Sequence, residues 1–394
     1  MPDPGPDPGL TGETRTVRTR AAVLREMGHP APYSESRPLI STELTLDEPG
    51  ADELLVAVRA AGLCHSDLSV INGSRPRVMP MALGHEAAGQ VVATGSVDSS
   101  FAPGDHVVLA FAPACGECRF CVEGRPALCR PGGKANAAGT LLNGDIRQRD
   151  PDGEPIHHHL GVSAFSDHIV VSEHSAVKVP DDLPFEIAAL FGCAVLTGAG
   201  MVLNTASEAL PARSIAVFGL GGVGLSALLA AASQGPGKLI AIDPVPAKRE
   251  LALELGASDA VDPGEGDPVD GVRAVNGGEG VELAVETAGS EKVLAQAYAA
   301  TGLGGTTVTA GLPHPDRKLE IQATSLTAEE RTLKGSYLGS CVPSRDIPRF
   351  IEMYRAGNLP VHRLLSHRLR PEGLNEGFDR LGRGEALRQV AIFD

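Results

Sequence analysis

The apolar run Ser214-Ile215-Ala216-Val217-Phe218 leads directly into Gly219-Leu220-Gly221-Gly222-Val223-Gly224 and then into an Ala/Leu-rich stretch from Leu225 to Ala232. Strand, glycine turn and helix in that order admit few folds, because the turn must be tight and the helix must pack closely on the strand it has just left. Gly219 permits the turn, Gly221 lets backbone N–H groups approach a pyrophosphate, and Gly224 allows helix and strand to touch. The helix N-terminus then stabilises phosphate charge. A second strand ends at Asp243, nineteen residues beyond Gly224, where an acid would hold a ribose. Asp243 would also repel a 2′-phosphate, so NAD is expected over NADP; Lys248 and Arg249, a few residues on, soften that preference.

After about Ala194 the wider pattern agrees with a parallel sheet covered by helices, an α/β arrangement. Strands are expected over Ser214 to Gly219, Leu239 to Asp243, Val281 to Glu286 and Thr306 to Gly311. Helices are expected over Gly222 to Ser233, Ala247 to Leu255 and Glu291 to Ala300. From Arg20 to about Val179 the texture differs. Short apolar runs such as Glu53 to Val58, Gly89 to Ala93 and His106 to Leu109 are broken by Gly and Pro, which reads as a β-rich domain. A length of 394 residues exceeds what one core usually fills, so two domains are expected. The helix near Ile347 to Arg355 and the mixed segments after it do not extend the parallel pattern, and they are expected to return to the first domain. Residues 1–18, rich in Pro, Gly, Asp and Thr, read as a disordered tail.

Charge and hydropathy bound the partners. The formal charge is −15, which argues against nucleic acid, since phosphate affinity rests on Lys and Arg. No stretch approaches the run of about 20 apolar residues that spans a bilayer, and the N-terminus lacks the order of a signal peptide. A soluble cytoplasmic protein is expected, with neither nucleic acid nor membrane as partner.

The chain has seven cysteines. Cys115, Cys118, Cys121 and Cys129 supply four thiols within fifteen positions, too close to staple a fold and well suited to a closed tetrahedral zinc. Their spacing suits neither ferredoxin pattern. Such a zinc would order a Gly/Pro-rich lobe that has little core of its own. Cys64, in Gly62-Leu63-Cys64-His65-Ser66-Asp67, and Cys193, in Phe191-Gly192-Cys193, are far apart, with Leu83-Gly84-His85-Glu86 between them. Taken singly, each reads more readily as core packing. The run His157-His158-His159 is expected to be a loop or strand start, because adjacent residues on an extended chain face opposite ways and cannot share one ion. Cys341 is read as packing.

These motifs resemble those of the zinc-dependent medium-chain alcohol dehydrogenases: G-x-C-H-[ST]-D, G-H-E-x-x-G, a four-cysteine lobe, and a Gly-Cys pair before the nucleotide domain. The match runs in order from about residue 20 to the end. The resemblance implies a GroES-like β-rich catalytic domain over 19–194 and 338–394, with the structural zinc lobe at about 112–132, and a Rossmann domain over 195–337. It implies that Cys64, His85 and Cys193 hold a catalytic zinc with one position left for water or substrate, giving two zinc ions per chain. Two thiolates and a neutral imidazole would leave that site without net charge, which suits a Lewis acid. Asp67 and Glu86 would orient His85 or shift the metal, and Ser66 would accept the alcohol proton. His65, Thr197, Lys248 and Arg388 would join Leu220, Gly222, Val223 and the other residues of the glycine turn around the coenzyme. Phe111, Phe165, Leu312 and Tyr337 would wall the substrate pocket.

The activity so implied is reversible NAD-linked hydride transfer between a primary alcohol, mid-sized or aromatic, and its aldehyde. In the family a His five residues after the first Cys carries the proton onward. Here that residue is Ser69, so His65 or ordered water must finish the relay. A thiol-dependent (glutathione or mycothiol) formaldehyde dehydrogenase is the alternative, suggested by a long loop between the four-cysteine lobe and His157. That subgroup uses an Arg just after the lobe to hold a peptide carboxylate, where this chain has Gly132-Gly133. The long loop also resembles dimeric members, so a homodimer is expected. Arg75 and Arg77, at the expected pocket mouth, would attract an anionic substrate or merely solvate a loop, and the loop reading is favoured. A reading of another class is a zinc- and nucleotide-binding sensor without turnover.

Overall fold

The computed structural model describes residues 16–394. Most of the expected tail lies outside the described residues, but Val17 and Arg18 already belong to the strand Val17–Leu24. That strand pairs along its whole length with Leu39–Leu46, from Val17 opposite Leu46 to Leu24 opposite Leu39. The ladder overrides the polar composition that suggested a longer tail.

The glycine turn sits in a parallel sheet of six strands, ordered Asp259–Val261, Lys238–Ile242, Ser214–Phe218, Val281–Glu286, Thr301–Thr309 and Thr332–Gly335. Ser214–Phe218 is buried throughout because helices cover both faces of such a sheet. The chain steps outward from this strand to one side, then crosses back to the other. Strand order therefore reverses beside Ser214–Phe218, and a crevice opens at its C-terminal end, where the glycines lie. Helices Gly222–Ala232, Pro246–Glu254 and Glu291–Ala300 fall where periodicity places them. The short outer strands Asp259–Val261 and Thr332–Gly335 carry too little apolar signal to be foreseen. Thr301–Thr309 begins earlier than expected, since Gly302, Gly304 and Gly305 weaken its first half.

The β-rich half contains two further sheets. One has five strands, with Val17–Leu24 flanked by Leu39–Leu46 and Met81–Ala82, and His157–His158 beyond the latter. The other has seven, centred on Glu53–Gly62 and Ala87–Thr94. The C-terminal strand Arg388–Ile392 pairs antiparallel with Glu53–Gly62, with Val390 opposite Gly62, so the end of the chain does return to the first sheets. One apolar core runs across both halves, from Ala60, Phe111 and Phe191 to Val217, Leu225 and Phe350. That continuity packs the two halves against each other.

The expected long loop after the four-cysteine lobe is instead structured. It holds the helix Arg130–Ala138 and the short strands Gln148–Arg149 and His157–His158. His157–His158 pairs with Met81–Ala82 and so braces the segment that leads into His85. The three adjacent histidines do not converge on one point: His157 is half-buried, and His158 and His159 are buried against different partners. His158 is buried, and its Nε2 accepts the Arg147 backbone N–H at 3.2 Å. Burial, with His157 and Arg147 nearby, lowers its pKa from the usual 6.5 to about 3. The unfolded chain therefore binds a proton below pH 6.5 that the folded chain refuses until about pH 3, and this contribution to stability is lost as pH falls through that window. A His158→Gln variant is expected to lose less melting temperature than the wild type on acidification across it, as followed by circular dichroism; parallel acid slopes would contradict the assignment.

Candidate active site

Three segments from different parts of the chain bring Cys64, His85 and Cys193 together. Cys64 caps the helix His65–Ile71, and the Asp67 carboxylate, in the first turn, accepts the Cys64 backbone N–H at 3.3 Å. His85 follows Gly84, which takes a φ of +93°; a Cβ there would also lie 2.6 Å from the Phe165 nitrogen, so a glycine is required. Cys193 stands where the apolar helical turn Ala189–Gly192 breaks into the helix Ala194–Gly200. The two sulfurs and an imidazole nitrogen lie within 4.8 Å of one another.

The electrostatics of this cluster ask for a cation. His85 Nδ1 donates to Asp67 Oδ1 at 3.1 Å, which leaves Nε2, buried and without a hydrogen-bond partner, toward the thiols. Burial resists charge on His85, but Asp67 and Cys64 outweigh it and raise its pKa well above the ordinary value. Burial likewise opposes ionisation of Asp67, yet His85 and His159 hold its carboxyl well below the usual range. The hydrogen bond shared by the two sulfurs favours ionisation of Cys64 and keeps Cys193 protonated. Two thiolates cannot coexist here without a positive charge, and a dication between them and Nε2 removes the conflict.

Of the two carboxylates expected to act behind the donors, Asp67 alone contacts His85. Glu86 turns the other way and pairs with Arg388. Burial raises the Glu86 carboxyl to about 7, against the pull of Arg388. His159 was not foreseen as part of this cluster: its Nδ1 is 3.0 Å from Asp67 Oδ1 and its ring meets His85 edge-on at 5.4 Å. His158 and His159 are both buried, and His159, just past the strand His157–His158, is the one that turns toward Asp67, a direction the run itself does not declare.

In the four-cysteine lobe the sulfurs of Cys118 and Cys121 are 3.5 Å apart, those of Cys118 and Cys129 3.9 Å, and those of Cys115 and Cys121 4.0 Å. Zinc–sulfur bonds of about 2.3 Å directed to a tetrahedron set neighbouring sulfurs about 3.8 Å apart. Backbone N–H groups of Cys118 and Gly132 point at Cys115 and Cys129 sulfurs. Backbone hydrogen bonds lower the Cys118 thiol to about 6, while burial and Cys118 itself raise Cys121 to about 12. Here too the thiols cannot ionise together without a dication.

At the glycine turn, Asp243 is buried; its Oδ2 accepts the Leu220 N–H at 2.8 Å and its Oδ1 the Val245 N–H at 2.9 Å. Arg388 packs on Gly222, where a Cβ would fall 2.2 Å from its Cδ, so the Glu86 pair reaches the turn through this side chain. Half-buried Lys248 approaches Gly384 across the crevice, and Arg249 is tied to Asp262 at 2.6 Å. Thr197 lies one turn beyond Cys193 on its helix. Gly221 and Val223 flank the helix start.

The expected pocket residues divide. The Phe111 ring meets His85 edge-on at 5.4 Å and Tyr337 at 5.9 Å, so both belong to the site. Leu312 is exposed across the crevice, its carbonyl accepting from Arg75 at 3.5 Å. Phe165 must be corrected. It is buried in the neighbouring core, its ring on Phe378 at 6.0 Å, and it supports the backbone around Gly84 from behind. Cys341 is buried, with its thiol directed at the Leu196 carbonyl, and serves packing.

Residues 50–181 match the alcohol dehydrogenase GroES-like domain and residues 222–356 the zinc-binding dehydrogenase domain. The geraniol dehydrogenase of Castellaniella defragrans is 38% identical over 96% of this chain and 98% of its own length. The chain belongs to the zinc-binding alcohol dehydrogenase family. Among solved members, an alcohol dehydrogenase zinc-binding domain protein from Burkholderia ambifaria aligns with a TM-score of 0.90 at 36% identity, over 96% of this chain and all 100% of that one. The benzyl alcohol dehydrogenase of Acinetobacter calcoaceticus aligns at 0.88 and 31%, with coverages of 96% and 100%. The family's GroES-like domain and its Rossmann domain account for the two halves of the fold.

The turn makes a pair of opposite demands on two glycines. A Cβ at Gly224 would sit 1.8 Å from the Gly219 carbonyl oxygen, whereas one at Gly221 meets nothing within 4 Å. Gly224→Ala is expected to cost about 3 kcal/mol and lower Tm by several degrees, while Gly221→Ala leaves Tm nearly unchanged; scanning calorimetry of the two variants checks this, and equal losses would contradict it.

Proposed function

We propose that this chain oxidises a primary alcohol, mid-sized or aromatic, to its aldehyde, reversibly and with NAD. The convergence of Cys64, His85 and Cys193 beside the glycine turn carries the reading. Three donors, one of them an otherwise unpartnered buried nitrogen, fit a catalytic zinc with an open position, and the four-cysteine lobe fits a closed structural one, giving two per chain. When bound, the catalytic zinc supplies the Lewis acidity that acidifies an alcohol and the nicotinamide accepts hydride from its carbon.

The chain's own residues do the rest. Cys64 and Cys193 balance the metal charge, and Asp67 fixes the tautomer and orientation of His85. Ser66, half-buried in the first turn after Cys64, accepts the alcohol proton as it passes its own hydroxyl proton on. The Ser69 hydroxyl is engaged with the His65 carbonyl at 2.8 Å, away from this route. Exposed His65 or water therefore delivers it to solvent. Phe111 and Tyr337 exclude water from one side of the reacting carbon.

His65, Thr197, Lys248 and Arg388 surround the coenzyme with the turn 219–224. The buried Asp243 carboxylate supports NAD over NADP, and Arg249, held by Asp262, is not free to bind a 2′-phosphate. The catalytic domain spans 19–194 and 338–394, and the coenzyme domain 195–337. A cytoplasmic homodimer completes the reading on family resemblance alone.

The purified protein mixed with NAD+ and benzyl alcohol is expected to produce NADH absorbance. Cys64→Ser is expected to cut kcat/KM on the order of 100-fold or more, beyond what losing a supporting residue costs, and to reduce bound zinc from about two to about one per chain by elemental analysis. Undiminished turnover in Cys64→Ser, or none in the wild type over a broad alcohol panel, would refute the proposal.

A further inference from the structure

Arg75 and Arg77 lie between the helix His65–Ile71 and the strand Met81–Ala82, and from sequence they read best as loop solvation. The structure separates the two. Arg75 reaches across the crevice to the Leu312 carbonyl. Arg77 turns inward: it is half-buried, and its Nε is shielded from solvent with no hydrogen-bond partner. The charge of Arg77 is coupled to Arg75, a like charge, to Tyr337 and to His159, and no carboxylate among the described residues pairs with it. The chain has 49 acidic residues to 34 basic ones, so a partly desolvated guanidinium left without an acid is conspicuous.

Arg77 lines a cavity of about 150 Å3 with Ala112, Asn136, Leu160 and Tyr337. Asn136 is buried and donates from Nδ2 to the Phe111 carbonyl at 3.0 Å, while its Oδ1 is buried and unpartnered. Cys129, Gly132 and Gly133 of the four-cysteine lobe line its other side, and its connection to the donor cluster runs through Tyr337. Tyr337 lies within electrostatic reach of both Arg77 and Cys193, and it stacks edge-on with Phe111, which in turn meets His85.

We propose that this cavity is a carboxylate-binding subsite with Arg77 as its specificity-determining residue, so that the preferred alcohols and aldehydes carry a carboxylate at the end remote from the reacting carbon. The inference rests on the alcohol dehydrogenase reading above. A guanidinium presents N–H donors in a fork that matches a carboxylate, and the bond is charge-assisted. Ala112 and Leu160 offer an apolar path for the connecting carbons. Asn136 Oδ1 accepts from a ligand hydroxyl or N–H, or from a water bridging to the carboxylate. Arg75, on the same loop, adds a second positive charge that draws an anion toward the crevice.

The test compares a ladder of ω-hydroxycarboxylates with n-alkanols of equal length, in the zinc-loaded wild type, Arg77→Gln and Arg77→Lys. The wild type is expected to show higher kcat/KM for the carboxylates. Arg77→Gln should lower that value on the order of 10- to 100-fold, chiefly through KM, keep the alkanols within about twofold, and be partly rescued by Arg77→Lys. Calorimetric titration with the best carboxylate, without NAD+, should show the same loss of affinity and reads the subsite independently of turnover. Absence of turnover with every substrate would refute the dehydrogenase reading. Equal carboxylate binding in wild type and Arg77→Gln, no carboxylate preference in the wild type, or equal losses for both substrate series would overturn the subsite.

Discussion

Two cysteine sulfurs and an imidazole nitrogen share a buried space from which water is largely excluded, and that arrangement has a definite electrostatic demand. Cys64 ionises while Cys193 stays protonated, and the nearby imidazole is driven toward its protonated form by Asp67 and Cys64. A divalent cation satisfies all three groups at once. Asp67 is the piece that makes the demand specific, because its hydrogen bond commits Nδ1 of His85 and leaves Nε2 for the shared space. His159 and the Gly84 N–H, at 3.0 and 3.2 Å, steady the carboxylate in turn.

The fold exists around that point. Cys64 is set by the end of Glu53–Gly62, His85 by the brace from Met81–Ala82 to His157–His158, and Cys193 by a break between two buried helical segments. Their separate supports meet in one continuous core that also packs the first helix of the parallel sheet. The Glu86–Arg388 pair then links the donor cluster to Gly222. Donor cluster and glycine turn are thereby joined through packed residues, which keeps them close, as transfer of hydride between two bound groups requires.

Much of this was legible in the sequence, for physical reasons that differ by residue. The glycine turn and its flanking strand and helix are local, so periodicity and steric need declare them. The four clustered cysteines are likewise local. Cys64, His85 and Cys193 are not: nothing in composition brings them together, and the family resemblance supplied that grouping. Asp67 could be named from its motif, whereas its contact with His85 rather than with solvent required three dimensions. Phe165 was misplaced because an aromatic near a pocket and one in the adjacent core look alike in one dimension. His159 and the inward turn of Arg77 escaped notice because each depends on which way a single side chain faces.

Ligation of one metal by Cys64, His85 and Cys193 beside the nucleotide crevice is directly observable. Anomalous diffraction from a crystal of the zinc-loaded protein, recorded at the zinc absorption edge, addresses it most directly. One peak is expected within the four-cysteine lobe and a second about 2.3 Å from the Cys64 and Cys193 sulfurs and about 2.0 Å from His85 Nε2. A single peak in the lobe, with Cys64 and Cys193 left as free thiols or joined as a disulfide, would contradict that shared ligation.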